Sequence, residues 1–224
     1  MFNNDYSGPD YNFQSNNGHD YILRMIEQLA AYLWAIVFNK RAQNYDVAVE
    51  KIEEAYNGLL YRNGNDIKNL NVAEILNNNT NENIEIIAKL LYEEADINEL
   101  KNGNNNLSLE YYCKSLKLFF SLTNEIEEGK FNKNIEEILN KLDYYELDKE
   151  MIFDIYKYYF QIGIFGKAED KLYQLLDINY TGIIEEINKF YELLLKKDDR
   201  VLDIGNLSRN EIIEAIEKLR NRSV

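Results

Sequence analysis

The sequence predicts an all-α protein built from helical hairpins, and three observations predict it. Apolar residues recur every three or four positions through most of the chain, the period of a helix with one buried face. The single proline is Pro9, so no later segment carries a residue that breaks a helix. Alternating polar and apolar runs bounded by turns, the mark of strands, do not occur.

Taken in order, residues 1–18 are rich in Asn, Ser, Gly and Asp and lack any apolar period, which predicts a flexible tail. Residues 19–224 are expected to form one domain. Asp20 is placed to cap a helix that runs to about Lys40 on Ile22, Ile26, Leu29, Leu33 and Ile36. Met25, Ala30, Trp34 and Val37 widen its apolar face until little is left for water, so this helix is expected to be central or to sit at an interface. A second helix follows from Asn44 to about Tyr61, with Ala48, Ile52, Ala55 and Leu59 in line. Asparagine clusters at 63–65, 77–83 and 102–106 predict loops. Between them fall a short apolar segment, Val72–Leu76, and a helix from Asn83 to about Lys101 on Ile84, Ile87, Leu91, Ala95 and Leu100. The return helix, Leu107–Leu122, turns Leu109, Tyr112, Leu116 and either Phe119 or Phe120 inward. A short helix is expected from Asn134, with Glu137 at the spacing of a capping box. Glu150 to Asp177 reads as two amphipathic helices folded across Gly163-Ile164-Phe165-Gly166. A helix on Ile183, Ile184, Ile187, Phe190, Tyr191 and Leu194 comes next, and Ser208 with Glu211 forms the clearest capping box, opening the last helix.

Composition narrows the function. The chain has 224 residues and a formal net charge of −14, most of it between residues 19 and 195. Such a surface repels phosphate backbones and anionic lipid, which argues against nucleic acid or membrane as direct partners and tilts the expectation toward a basic protein or peptide. The longest apolar run, Leu29–Phe38, has ten residues, and a membrane span needs about 20. The lone Cys113 excludes an internal disulfide and fits a reducing compartment. The expected location is cytoplasmic.

Three return helices share one register. Ala48, Ile52 and Ala55 answer to Ser108, Tyr112 and Ser115, and these to Ala168, Leu172 and Leu175, at a spacing of 60 residues. The turns answer as well, with Gln43, Gly103 and Gly163 in line and Tyr45, Asn105 and Phe165 two residues on. Register of this kind marks stacked supersecondary units. In Tyr159, Gly163, Phe165 and Ala168, in Tyr45, Ala48 and Ala55, and in Gly103 and Ser108, the chain resembles the tetratricopeptide (TPR) repeat. It departs from that repeat in its period of 60 against 34, in Tyr156 at the helix contact, and in lacking the closing proline. The opening stretch from Asp20 and the run Phe165–Asp170 also look like a bacterial family of unknown function.

The TPR resemblance implies a right-handed stack of hairpins, a non-catalytic scaffold that binds a peptide or protein partner on the face of its first helices. On this chain those positions are Arg41, Lys101, Phe153, Lys157, Phe160 and Gln161. No cofactor and no catalytic residue is implied.

Two other readings stand beside the scaffold. All-α nucleotide pyrophosphohydrolases bind Mg²⁺ through Glu-x-x-Glu and Glu-x-x-Asp. Glu50 and Glu53 have the first spacing and Glu93 and Asp96 the second, and carboxylates three apart share a helix face. The other is a structural homo-oligomer built on the Leu29–Phe38 helix. The sole histidine, His19, has no second histidine with which to share a metal, and no P-loop or dinucleotide glycine pattern occurs.

Overall fold

The computed structural model describes residues 16–123 and 132–222, and for 16–22 and 220–222 the backbone alone. Among the described residues there are twelve helices and no strand: α1 (Asn16–Arg41), α2 (Tyr45–Leu60), α3 (Gly64–Lys68), α4 (Val72–Asn78), α5 (Asn81–Asn102), α6 (Asn106–Ser121), α7 (Lys133–Leu142), α8 (Lys149–Gln161), α9 (Phe165–Asp177), α10 (Ile183–Leu194), α11 (Asp199–Ile204) and α12 (Arg209–Arg222). The chain divides into two compact units, Met1–Lys101 and Asn102–Val224. Of the tail expected over 1–18, residues 1–15 lie outside the described residues, and 16–18 open α1. Asp20 therefore sits inside that helix and does not cap it.

The sequence register of 60 is a register of burial. Ala48, Ile52 and Ala55 on α2, Ser108, Tyr112 and Ser115 on α6, and Ala168, Leu172 and Leu175 on α9 are all fully buried. The turns before them also agree: Gln43, Gly103 and Gly163 all have positive φ, at 60°, 70° and 77°. The left-handed residue lets the chain reverse and satisfies carbonyls that a helix end leaves open. After α1, Gln43 N–H donates to Lys40 O (3.1 Å) and Asn44 N–H to Asn39 O (2.9 Å). After α8, Gly163 N–H donates to Phe160 O (3.2 Å) and Ile164 N–H to Tyr159 O (2.9 Å).

In the first unit α1 packs on α2, which continues into α3. Gly58 permits the close approach of α1, because a Cβ there would meet the Tyr32 hydroxyl at 2.6 Å. The face of α5 carrying Ile84, Ile87, Leu91 and Ala95 is buried as expected, but Leu100 is exposed. The loops expected at 63–65 and 77–83 are largely helix. Asn63 accepts from Asn65 N–H and starts α3, and Asn71 forms a full capping box with Glu74 at the start of α4. Asparagine here caps helices instead of ending them.

In the second unit α8 packs on α9, α6 on α7, and α10 on both α9 and α12. The cap of α7 is Asn132, whose side chain accepts from Asn134 N–H at 3.0 Å; the expected box at Asn134 and Glu137 does not form the cap. The box at Ser208 does form, with Glu211 Oε2 accepting from Ser208 N–H at 2.8 Å and Ser208 Oγ facing Glu211 N–H at 3.4 Å. The turn between α8 and α9 docks on the one after α11. Gly166 N–H donates to Gly205 O at 2.9 Å, and a Cβ on Gly205 would fall 2.3 Å from the Phe165 ring and 2.6 Å from Gly163 O.

Candidate functional site

A concave surface lies within the second unit, between α6 and α8. Asn105 caps α6 by accepting from Ser108 N–H, and Asp148 caps α8 by accepting from Met151 N–H at 2.7 Å. With both starts fixed, Lys117, Phe120 and Ser121 fall on one face of α6, and Asp154, Lys157, Tyr158 and Gln161 on one face of α8. Together with Thr123 they line a groove of about 410 Å³.

Its floor is aromatic. The rings of Phe120 and Tyr158 stack with centroids 4.9 Å apart. Burial pushes the Tyr158 hydroxyl above the usual tyrosine range. Each wall carries an ammonium, Lys117 from α6 and Lys157 from α8. Lys157 Nζ lies 2.7 Å from Asp154 Oδ1 and 5.1 Å from the centroid of the Phe153 ring. One end is closed by Gln161, whose Nε2 donates to Thr123 O at 3.3 Å. Among the described lining residues there is no histidine or cysteine and one acid, Asp154, which is held by Lys157. Such a surface can seat a flat apolar group over the rings and place an anion between the ammoniums.

Of the six residues expected to bind a partner, Arg41 and Lys101 lie in the first unit and the others in the second. Arg41 is exposed, and Lys101 is paired with Asp46 at 2.6 Å. Lys157 and Gln161 line the groove. Phe153 lies under Lys157 and stacks on Tyr180 at 5.6 Å. Phe160 is half-buried and packs against the rings of Tyr156, Phe165 and Phe190. Sequence reasoning missed Lys117, Phe120 and Tyr158. The i, i+3, i+4 spacing of 117, 120 and 121 signals a shared face, but only the packing of α6 near α8 makes that face a wall.

The carboxylates with metal-site spacing have other work. Glu93 and Asp96, both 8% exposed, close on the ammonium of Lys40, which reaches α5 from the last turn of α1. Its distance to Asp96 Oδ2 is 2.8 Å. Burial lowers the Lys40 pKa, but the two carboxylates more than offset this, and the net direction is up. Glu53 instead holds Lys68 at 2.7 Å, shared with Glu94 at 2.9 Å, and Glu50 is exposed. Burial raises the Glu94 carboxyl above its usual range, against the pull of Lys68. Lysine ammoniums thus stand where a cation would have to stand. Among the described residues no group of three His, Cys, Asp or Glu side chains could hold a metal ion, and no helix is long and apolar enough to cross a membrane.

A family model described as a family of unknown function (DUF6483) matches residues 73–223, a span that contains both walls of the groove. No curated protein and no solved structure matches the chain.

Proposed function

The chain belongs to that family of unknown function (DUF6483), and from this premise we propose that it is a cytoplasmic, non-catalytic interaction scaffold, TPR-like in the stacking of its hairpins. Its partner is a segment of another protein, held in the groove between α6 and α8; nucleic acid and membrane are not partners. The observation that carries this reading is the groove itself: an aromatic floor between two lysines on a chain of net charge −14. With Lys157 paired to Asp154, the described lining keeps an excess of one positive charge, from Lys117, and this favours an acidic, aromatic-bearing peptide through charge complementarity. The TPR-like stacking is supported by the nine fully buried positions that recur at 60 residues and by the left-handed turns before them.

The test is selection of random phage-displayed peptides on the full chain, followed by titration of a labelled winner against wild type and Lys117→Glu/Lys157→Glu. Acidic peptides with an aromatic residue should be enriched, and the double variant should bind at least about tenfold more weakly, roughly 1.4 kcal/mol. Enrichment of basic peptides, or equal affinity for both proteins, would overturn the reading. A metal-dependent nucleotide hydrolase is the competing proposal. A melting temperature raised by millimolar Mg²⁺ would favour it, because a ligand of the native state stabilises that state.

A further inference from the structure

The helix α1 has two apolar faces, and only one is used in the fold. Met25, Leu29 and Ile36 are buried, whereas Leu23 (48%), Ile26 (55%), Trp34 (69%) and Phe38 (56%) are exposed. With Ala30 between them, and with the exposed Glu27 on the same side, these side chains follow steps of three and four along the helix. Trp34 and Phe38 stack on each other at 5.3 Å in the open. A groove of about 580 Å³ between α1 and α2, lined by Ala31, Tyr32, Ala35 and Gly58 among others, borders this stripe. Contiguous exposed apolar surface of this kind is a mark of an interaction site.

We infer that α1 pairs antiparallel with α1 of a second copy of this chain, with the two-fold axis at Ala30. The spacing of the stripe is self-complementary about that residue, as an isologous interface requires. Ile26 and Trp34 lie four residues to either side of Ala30, so each Ile26 meets Trp34 of the second copy. Leu23 comes opposite Val37 and Phe38 of the second copy in the same way, while the small Ala30 lets the two helices approach at the axis. Arg24, itself exposed, falls beside the Trp34–Phe38 stack of the second copy, where a guanidinium is attracted to the ring faces. The charge distribution favours this face. Copies of net charge −14 repel each other, but α1 carries Arg24 and Arg41 against Asp20 and Glu27, its Lys40 being held by Glu93 and Asp96, so approach along it is less opposed than along the acidic remainder.

The chain carries its own reporter, because Trp34 is its one tryptophan. The experiment is sedimentation equilibrium of the full chain from about 1 to 200 μM, with tryptophan emission read on the same samples, since self-association follows mass action. Wild type should shift to the dimer mass, and its emission should move to shorter wavelength over the same range. Ala30→Glu places two carboxylates at the axis and should weaken the dimer by at least about a hundredfold, leaving the monomer's helical content unchanged, because the position is exposed. Phe38→Lys is the second variant and should act in the same direction. A wild-type monomer at every concentration overturns the inference, whether Trp34 emits as exposed or as shielded. So does a dimer that both variants leave intact.

Discussion

Replacing Lys40 by methionine keeps the aliphatic stem and removes the ammonium between Glu93 and Asp96. The two carboxylates are 8% exposed, and Lys40 Nζ is 2.8 Å from one and closer still to the other. Removing one partner from a buried ion cluster leaves charge without its counter-ion and costs about 3–5 kcal/mol. We take the lower end, about 3 kcal/mol, because the side chains retain 11–13% exposure and water can reach them. The assay is urea unfolding of wild type and K40M. The sign with pH follows from the raised Lys40 pKa. A lysine raised in the folded state contributes stability that is complete below its ordinary 10.5 and is lost as pH rises through the folded value. The deficit of K40M should therefore be flat between about pH 7 and 9.5 and narrow above about 10.5. A deficit under about 1 kcal/mol at neutral pH, or one that does not narrow above about pH 10.5, would refute the claim that this lysine neutralises the pair.

Gln43 holds a left-handed conformation that costs a non-glycine residue about 1 kcal/mol, so Gln43→Gly should raise the melting temperature by about 2–4 °C; a lowered value would contradict the turn geometry. Gly205→Ala should destabilise by about 1–3 kcal/mol in denaturant unfolding, because its Cβ would strike the Phe165 ring and Gly163 O. An unchanged midpoint would show that the two turns are not so tightly docked. The Cys113 thiol is pushed up to about 12, chiefly by burial and then by Asp148. Iodoacetamide at about pH 8 should therefore modify the native chain at least about a hundredfold more slowly than the urea-unfolded chain; equal rates would place the thiol in water.

What the sequence disclosed and what it hid divide along chain separation. The helices, their buried faces and the 60-residue register were legible because each rests on residues a few positions apart: Ala48, Ile52 and Ala55 define a face without reference to anything else. Short helices were less so. α3 and α11 lie in stretches whose asparagine and charge content reads as loop, and their caps, Asn63 and Asp198, are the same residues that signal turns. Arrangements that depend on distant partners were hidden. Lys40 meets Glu93 across 53 positions and Lys68 meets Glu94 across 26, and no local pattern distinguishes those carboxylates from Glu50, which faces water.

The two faces of α1 show where periodicity alone stops short. An all-round apolar helix satisfies two incompatible structures, one with the helix in the middle of a core and one with it between molecules. The buried side, Met25–Leu29–Ile36, and the open side, Leu23–Ile26–Trp34–Phe38, are both apolar and both follow the helical period. What differs is whether the fold supplies a covering element. The open side is also the one that remains self-complementary when inverted about Ala30, while the charge of the rest of the chain opposes association elsewhere. Assembly through α1 and peptide capture in the groove between α6 and α8 use separate residues. Ala30→Glu should therefore abolish the dimer without changing peptide affinity, and Lys117→Glu/Lys157→Glu should do the reverse. If either variant changed both, the two surfaces would be energetically coupled and the independence argued here would fail.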